Sequence, residues 1–170
     1  MSDLWGIHDS HDLFYREPFG AVETGTEITI RIKIYAPFTV TSAVLRLWQD
    51  GLGERKIEMV KEGQEEAAQI FIGKVSTPSS TGLLWYYFIV RGRGKTYYYG
   101  SNPDGLGGLG LFTEYPPYSY QITLYKKNFK TPEWFKDSVM YQIFVDRFFD
   151  GSENKELLKL KDNCIIHESW

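Results

Sequence analysis

The sequence predicts an all-β fold, and two observations lead to that expectation. Before residue 127, about seven stretches alternate apolar and polar residues at spacings of about 8–15 residues, with Gly, Pro, Asn and Asp between them. No stretch in that part repeats its apolar residues at the spacing of an amphipathic helix. Strands of this number and spacing are typical of an immunoglobulin-like antiparallel β-sandwich.

The clearest strand is predicted over residues 27–35, where four isoleucines fall on one face of the chain. Thr29, Arg31 and Lys33 fall on the other face, so one face is buried and the other faces water. Residues 83–90 are apolar on both faces, and we expect that strand to be central in its sheet. The other predicted strands cover residues 41–48, 55–61, 68–75, 95–100 and 118–125.

The segments between these strands are read from their composition. Residues 1–25 are polar and irregular, and residues 62–66 form a polar hairpin loop. Residues 101–117 are rich in Gly and Pro, and a connection of that length is predicted to be either functional or mobile. The lysines and the proline within residues 126–134 indicate a linker.

Composition narrows the possible functions. Aromatic residues make up 16% of the chain, which fits a β-rich protein and permits a sugar-stacking surface. The net charge of −3, with scattered Lys and Arg, argues against nucleic acid as a partner. Cys164 is the only cysteine, so no intrachain disulfide can form. The sequence shows neither a signal peptide nor a membrane span, so we expect a cytoplasmic protein if Met1 is the natural start.

One further stretch, residues 139–151, differs from the strands before it. It is apolar or aromatic up to Val145, then charged at Asp146, and it ends in turn residues. A short apolar run of this kind suits a strand buried on both faces, as in parallel sheets and (β/α)8 barrels. Because 19 residues follow Gly151 and a barrel needs roughly 250, we expect the first strand of a truncated barrel. An eighth sandwich strand is the alternative.

The string Tyr-Gln-Ile-Phe-x-Asp-Arg-Phe over residues 141–148 resembles the first barrel strand of the α-amylase family, glycoside hydrolase family 13. The order of β-sandwich, linker and barrel strand is similar to that of the neopullulanase and cyclomaltodextrinase group. Val145 departs from the pattern, since these enzymes usually have proline there. The resemblance implies an N-terminal accessory domain over residues 1–127 and an incomplete barrel over residues 128–170, from a hydrolase of starch-like α-glucosidic bonds.

The resemblance also implies where catalysis does not occur. The family's three catalytic carboxylates lie on the fourth, fifth and seventh barrel strands, which this chain does not contain. We therefore assign no catalytic residue, and we expect the chain by itself to be non-catalytic. Tyr141, Asp146 and Arg147 are assigned to a barrel-rim motif instead.

A metal site is the next candidate. Related enzymes often hold Ca²⁺ in the loop after the first barrel strand, where this chain has Asp150, Ser152 and Asn154. Their hard oxygens at alternate positions are the ligands that Ca²⁺ prefers, but a plain turn is the favoured interpretation, because serine replaces the expected aspartate. No cofactor is otherwise predicted, because the histidines do not form a zinc pattern with Cys164.

Exposed aromatic side chains are the candidates for sugar binding, because sugar rings stack their C–H faces on such rings. The residues predicted to bind an α-glucan or maltooligosaccharide are Trp5, Tyr97, Tyr99, Tyr115 and Tyr118. Tyr97 and Tyr99 share a strand face and could form a platform. Trp48, Trp85, Tyr87 and Phe88 are predicted to lie in the core or between the sheets.

Other functions fit the same sequence. The aromatic platform could instead dock the missing barrel or a second subunit in a homodimer. The sandwich could also be a free-standing carbohydrate-binding module or an immunoglobulin-like protein-interaction domain. Without parallel partners, residues 139–149 are expected to be disordered, or to pair with a sandwich edge or with another copy.

Overall fold

The computed structural model describes residues 4–65 and 67–144. The chain divides into two compact units, Met1–Lys130 and Thr131–Trp170. Within the described residues, the strands are β1 (Trp5–Ile7), β2 (Arg16–Glu17), β3 (Val22–Glu23), β4 (Glu27–Tyr35), β5 (Ser42–Gln49), β6 (Gly53–Glu58), β7 (Val60–Glu65), β8 (Ala68–Ser76), β9 (Gly82–Gly92), β10 (Lys95–Gly100), β11 (Leu111–Thr113) and β12 (Tyr120–Tyr125). A single helical turn, α1 (Glu133–Lys136), lies in the second unit.

The strands of the first unit form two sheets. In the first sheet β4 is central, with β8 and then β7 on one side and the short strands β1 and β2 on the other. In the second sheet β9 is central, with β5 and then β6 on one side. Its other side is shared by β12 and β10, which are extended by β3 and β11. Only the β12–β3 pair is parallel among the described strands.

The two sheets pack face to face on one core. Ile28, Ile30, Ile32 and Ile34 of β4 are fully buried, as their alternation predicts. They belong to the same buried cluster as residues of the second sheet, among them Leu45, Leu47, Leu84, Tyr86, Phe88 and Val90. The prediction of an all-β fold is therefore confirmed, and the shared core is that of a β-sandwich.

Two details of the predicted order are wrong. The strand predicted over residues 55–61 breaks at Met59, because the buried Met59 donates its N–H to the Ala43 carbonyl (2.8 Å). On either side of that residue, β6 pairs in the second sheet and β7 in the first, so the loop predicted from residue 62 begins as strand. The Gly-rich loop of residues 101–117 also contains a strand, β11.

His8 joins the N-terminal segment to both sheets. Its imidazole is fully buried, and Nδ1–H donates to the Arg31 carbonyl of β4 (2.7 Å) while Nε2 accepts from the Tyr86 hydroxyl of β9 (2.9 Å). Its backbone N–H donates to the Tyr99 hydroxyl (3.1 Å), and its carbonyl accepts from the Tyr120 hydroxyl (3.2 Å). With the ring neutral, as its burial favours, every polar group of the residue is satisfied.

The segment after His8 fixes the Gly-rich loop. Ser10 donates its N–H to the Gly108 carbonyl (3.1 Å), and Gly108 returns a hydrogen bond to the Ser10 hydroxyl (2.9 Å). Gly110 donates to the Tyr99 hydroxyl (3.1 Å) and has no room for a side chain, because a Cβ there would meet the Gly100 carbonyl oxygen. These hydrogen bonds hold the Gly-rich loop in place, which argues against the prediction that it is mobile.

The second unit contains part of the predicted barrel strand. Residues 138–144 form no strand in the structure and are exposed, with Val139 at 93% and Tyr141 at 75% exposure. A strand buried on both faces requires neighbouring strands to pair its backbone, and none pairs with this stretch among the described residues. The rest of the motif, with Asp146 and Arg147, lies outside the described residues, as do Asp150, Ser152 and Asn154.

Within residues 4–65 and 67–144, the only helix is a single turn, far too short to cross a membrane.

Stability should depend on pH through His8. Burial lowers the pKa of His8 from its ordinary 6.5 to about 3. Between these values the unfolded chain binds a proton that the folded chain does not, so stability falls as the pH is lowered. We expect a loss of about 2 kcal/mol in the free energy of unfolding between pH 7 and pH 5, measured by urea denaturation.

The matched variant for this measurement is His8→Gln, which is neutral throughout the range and keeps a donor and an acceptor. It should be less stable at pH 7 but should lack the decline between pH 7 and pH 5. An equal decline in both proteins would assign the pH dependence to other groups.

A second expectation concerns Gly110. The Cβ introduced by Gly110→Ala would overlap the Gly100 carbonyl and the Tyr120 hydroxyl, so we expect the free energy of unfolding to fall by about 1–3 kcal/mol. Gly63→Ala is the control, because nothing lies within 4 Å of its added Cβ. A change in stability as small for Gly110→Ala as for Gly63→Ala, in denaturant melts, would contradict the close packing of the loop.

Candidate functional site

Two tryptophans lie side by side on the outer face of the second sheet. Trp48 of β5 and Trp85 of β9 are direct partners in the register of the two strands. Their neighbours Leu47 and Leu84 face the core, so the indoles point away from it. Residues directly opposite each other in an antiparallel pair have Cβ atoms about 4.5–5.5 Å apart, so the two indoles are neighbours on this face of the sheet. We call this surface the tryptophan face.

The two indoles differ from the neighbouring Tyr87 in their contacts. Arg46 lies over the ring of Tyr87, with its guanidinium 5.1 Å from the ring centre, and is itself paired with Glu54 (2.8 Å). Among the described residues, no cation or aromatic ring stacks on Trp48 or Trp85. Both tryptophans are partly buried, and both border a hollow at the surface.

Two hollows adjoin the tryptophan face, and Trp85 borders both. The first has a volume of about 560 Å³ and is lined by Trp48, Asp50, Thr81, Gly82, Leu83 and Trp85. The second has a volume of about 510 Å³, and its walls include Trp85, Arg16, Tyr118 and Gln121. Both volumes are in the range of small-molecule sites, about 300–1,000 Å³. In the first hollow, Thr81 and Asp50 supply a hydroxyl and a carboxylate beside the rings. In the second hollow, Arg16 supplies a guanidinium.

The aromatic residues predicted to bind sugar are scattered over the first unit. Trp5 is 52% exposed, but one of its ring faces is covered by Tyr35, whose ring lies parallel at 3.7 Å. Tyr97 packs against Phe38, with the ring centres 6.1 Å apart. Tyr115 and Tyr118 are 70% and 65% exposed and line a smaller hollow of about 330 Å³.

The prediction that Tyr99 lies on the surface is wrong. Tyr99 is 1% exposed, and its ring packs against Phe88 and Phe112 in the core. Its hydroxyl accepts hydrogen bonds from the backbone N–H groups of His8 and Gly110, and burial raises the pKa of the phenol. Tyr97 and Tyr99 therefore do not form the predicted platform, because the Tyr99 hydroxyl makes its hydrogen bonds in the interior of the first unit.

The opposite error concerns the tryptophans. Phe88 is fully buried as predicted, but Trp48, Trp85 and Tyr87 lie on the outer face of the sheet and are only partly buried. The signal was present in the sequence, since Ala43, Leu45 and Leu47 alternate on one face and leave Trp48 on the other. A strand that carries apolar residues on both faces can still have one face that no other part of the protein covers.

The described residues hold no group of three His, Cys, Asp or Glu side chains that could bind a metal ion. The predicted calcium ligands lie outside this part of the chain, so Ca²⁺ stays a prediction.

Comparison with known proteins identifies relatives of the chain. An amylopullulanase of Thermoanaerobacter thermohydrosulfuricus is 41% identical in an alignment that covers 96% of this chain and 11% of the relative. An amylopullulanase of Thermoanaerobacterium thermosulfurigenes is 38% identical, over 96% of this chain and 9% of the relative. A cyclomaltodextrinase of Geobacillus thermopakistaniensis is 28% identical in an alignment that covers 62% of this chain and 18% of the relative.

Two further comparisons add little. A solved cyclomaltodextrinase structure superposes with a TM-score of 0.49 at 17% identity, over 74% of this chain and 21% of that chain. No family model matches the chain.

The sequence relatives point to one group of proteins. The first unit is an all-β domain, and the relatives of the chain are amylopullulanases and a cyclomaltodextrinase. These relatives are members of the α-amylase family, glycoside hydrolase family 13, and a match over 96% of this chain confirms the resemblance seen in residues 141–148. It spans about a tenth of the length of the amylopullulanases that it matches.

The buried position of Tyr99 can be tested by removing its hydroxyl. Tyr99→Phe leaves the N–H groups of His8 and Gly110 without an acceptor, and we expect the free energy of unfolding to fall by about 1–3 kcal/mol. Tyr97→Phe, two residues along the same strand, should change stability by less than about 0.5 kcal/mol. Equal stabilities for the two variants in urea denaturation would contradict the hydrogen bonds described above.

Proposed function

We propose that the chain is an accessory, carbohydrate-binding part of a starch-acting enzyme, and that it binds α-glucan chains on the tryptophan face. In this proposal the first unit is an immunoglobulin-like sandwich, and residues 128–170 are a linker and the first strand of the catalytic barrel. The observation that carries the proposal is the pair of outward-facing tryptophans, Trp48 and Trp85, which are direct partners on neighbouring strands and have no aromatic or cationic stacking partner among the described residues.

The chemistry of the face fits such a ligand. A pyranose ring presents C–H groups on its faces and hydroxyl groups around its rim, so it packs flat on an aromatic ring while its hydroxyls bond to polar neighbours. Two rings side by side suit a polymer of repeated sugar units better than a single small molecule. Asp50 and Thr81, beside the rings, supply oxygens for the hydroxyls.

The names of the relatives support the same ligand class. They are amylopullulanases and a cyclomaltodextrinase, and this chain corresponds to about a tenth of the amylopullulanases. The hydrolysis of α-1,4 or α-1,6 glucosidic bonds is proposed for the whole enzyme rather than for this chain. A role for Ca²⁺ at Asp150, Ser152 and Asn154 and a cytoplasmic location stay predictions.

An assembly function is the second candidate, and a separate surface favours it. Leu111, Pro116, Pro117 and Tyr115 border an apolar hollow, and Tyr115 is 70% exposed. Such a surface could contact the catalytic barrel or another copy of the chain. If a substitution on this surface changes the molecular mass of the protein in solution and abolishes sugar binding at the same time, that result would favour this candidate over the first.

The test is a titration of the protein with maltoheptaose, in which binding is measured by calorimetry. We expect binding that weakens by roughly tenfold or more, about 1.4 kcal/mol or more, in Trp48→Ala and in Trp85→Ala. Trp5→Ala is the control, because Trp5 is an exposed tryptophan on the other sheet. The absence of a signal at millimolar sugar would refute the proposed ligand, and equal losses in all three variants would refute the proposed site.

A further inference from the structure

Arg16 is a buried cation without an acidic partner. The residue is 6% exposed, and it forms no ion pair with any of the described residues. Its two hydrogen bonds go to backbone carbonyls, from Nη2 to Gly20 (2.5 Å) and from Nη1 to Gln121 (3.3 Å). A guanidinium carries five N–H donors, and among the described residues the buried Nε–H has no protein acceptor.

Arg16 lies in the wall of the second hollow beside the tryptophan face. Phe19 packs under its guanidinium, 5.6 Å from the ring centre, and His11 packs edge-on against the same ring. Tyr118 and Phe19 are 65% and 53% exposed and supply aromatic walls. The described residues that line this hollow include several hydroxyl and amide groups and no carboxylate: Ser10, Ser101, Ser119 and Gln121.

The second hollow continues the tryptophan face. Trp48, Trp85 and Gln121 are successive partners across β5, β9 and β12. Neighbouring strands lie about 4.8 Å apart, so the line from Trp48 to Gln121 is about 10 Å long. A chain molecule that crosses both indoles therefore reaches the hollow of Arg16 without leaving the surface.

We propose that the second hollow is a further sugar subsite, in which Arg16 and the walls formed by Tyr118 and Phe19 hold the next units of a linear α-glucan. This inference rests on the proposed function. Hydrogen bonds from a charged donor are stronger than those between neutral groups, and sugar hydroxyls can accept them. The subsite adds affinity only for oligosaccharides long enough to extend past Trp85.

A neutral ligand fits better than an anionic one. The Asp9 carboxylate accepts the His11 backbone N–H (2.9 Å) and so places a negative charge close to the hollow. The chain as a whole also carries a net charge of −3. A phosphate or carboxylate ligand would be attracted by Arg16 but opposed by these negative charges, whereas a glucan needs only hydrogen bonds from the guanidinium.

The experiment compares maltose with maltoheptaose by calorimetry on the full chain. The unaltered protein should bind maltoheptaose at least roughly tenfold more tightly than maltose. Tyr118→Ala should remove most of that difference and leave the affinity for maltose unchanged. Tyr115→Ala is the matched control, since Tyr115 is equally exposed but does not border the second hollow.

Phe19→Ala is a second variant that tests the other wall, and circular dichroism verifies that each variant is folded. If the unaltered protein binds neither sugar, the proposed function fails together with the subsite. If it binds both, and both variants keep the full preference for maltoheptaose, the subsite is refuted while the proposed function stands. Displacement of maltoheptaose by inorganic phosphate in the unaltered protein, but not in Tyr118→Ala, would refute the neutral ligand class.

Discussion

The neutral imidazole of His8 is the interaction on which the rest of the first unit depends. A ring buried this deeply must satisfy both of its nitrogens, and it does so with one partner from each sheet, Arg31 of β4 and Tyr86 of β9. The hydrogen bonds between His8 and Tyr99 tie the same point to β10. The N-terminal segment is thereby held in the core, although its composition is that of a surface loop.

The position of His8 also determines the geometry of the candidate site. The residues that follow it fix the Gly-rich loop through Ser10 and Gly108 and lead to Arg16, which borders the second hollow. On the opposite strand, Tyr86 must point inward to reach the imidazole, and Trp85 must therefore point outward. One buried hydrogen bond thus couples the core to the surface on which we propose that glucan binds.

The relationship to the amylopullulanases and the geometry of the tryptophan face are independent lines of support. The names of the relatives are the basis for the ligand class in the proposal, but the relatives are far longer than this chain, so they do not locate a site in it. The geometry gives the candidate site, with two neighbouring tryptophans and two adjoining hollows, but aromatic surfaces also occur at protein interfaces. The proposed function is the one that both lines favour.

The sequence by itself determined the all-β class, the bounds of most long strands and the family. These follow from local information: the two-residue alternation in β4, the turn at Arg93 and Gly94, and the string over residues 141–148. It also contained the phase that places Trp48 opposite Leu47. What it could not give is which face of a strand is covered, because that depends on partners distant in the chain.

Only the tertiary structure decided the burial of Tyr99, the exposure of Trp85 and the change of sheet at Met59. Tyr99 and Trp85 are both aromatic residues in apolar strands, and local pattern does not distinguish them. Tyr99 is buried because its hydroxyl meets backbone N–H groups from His8, 91 residues away, and from Gly110. Arg16 joins the hollow for a similar reason, since its acceptor Gln121 lies 105 residues along the chain.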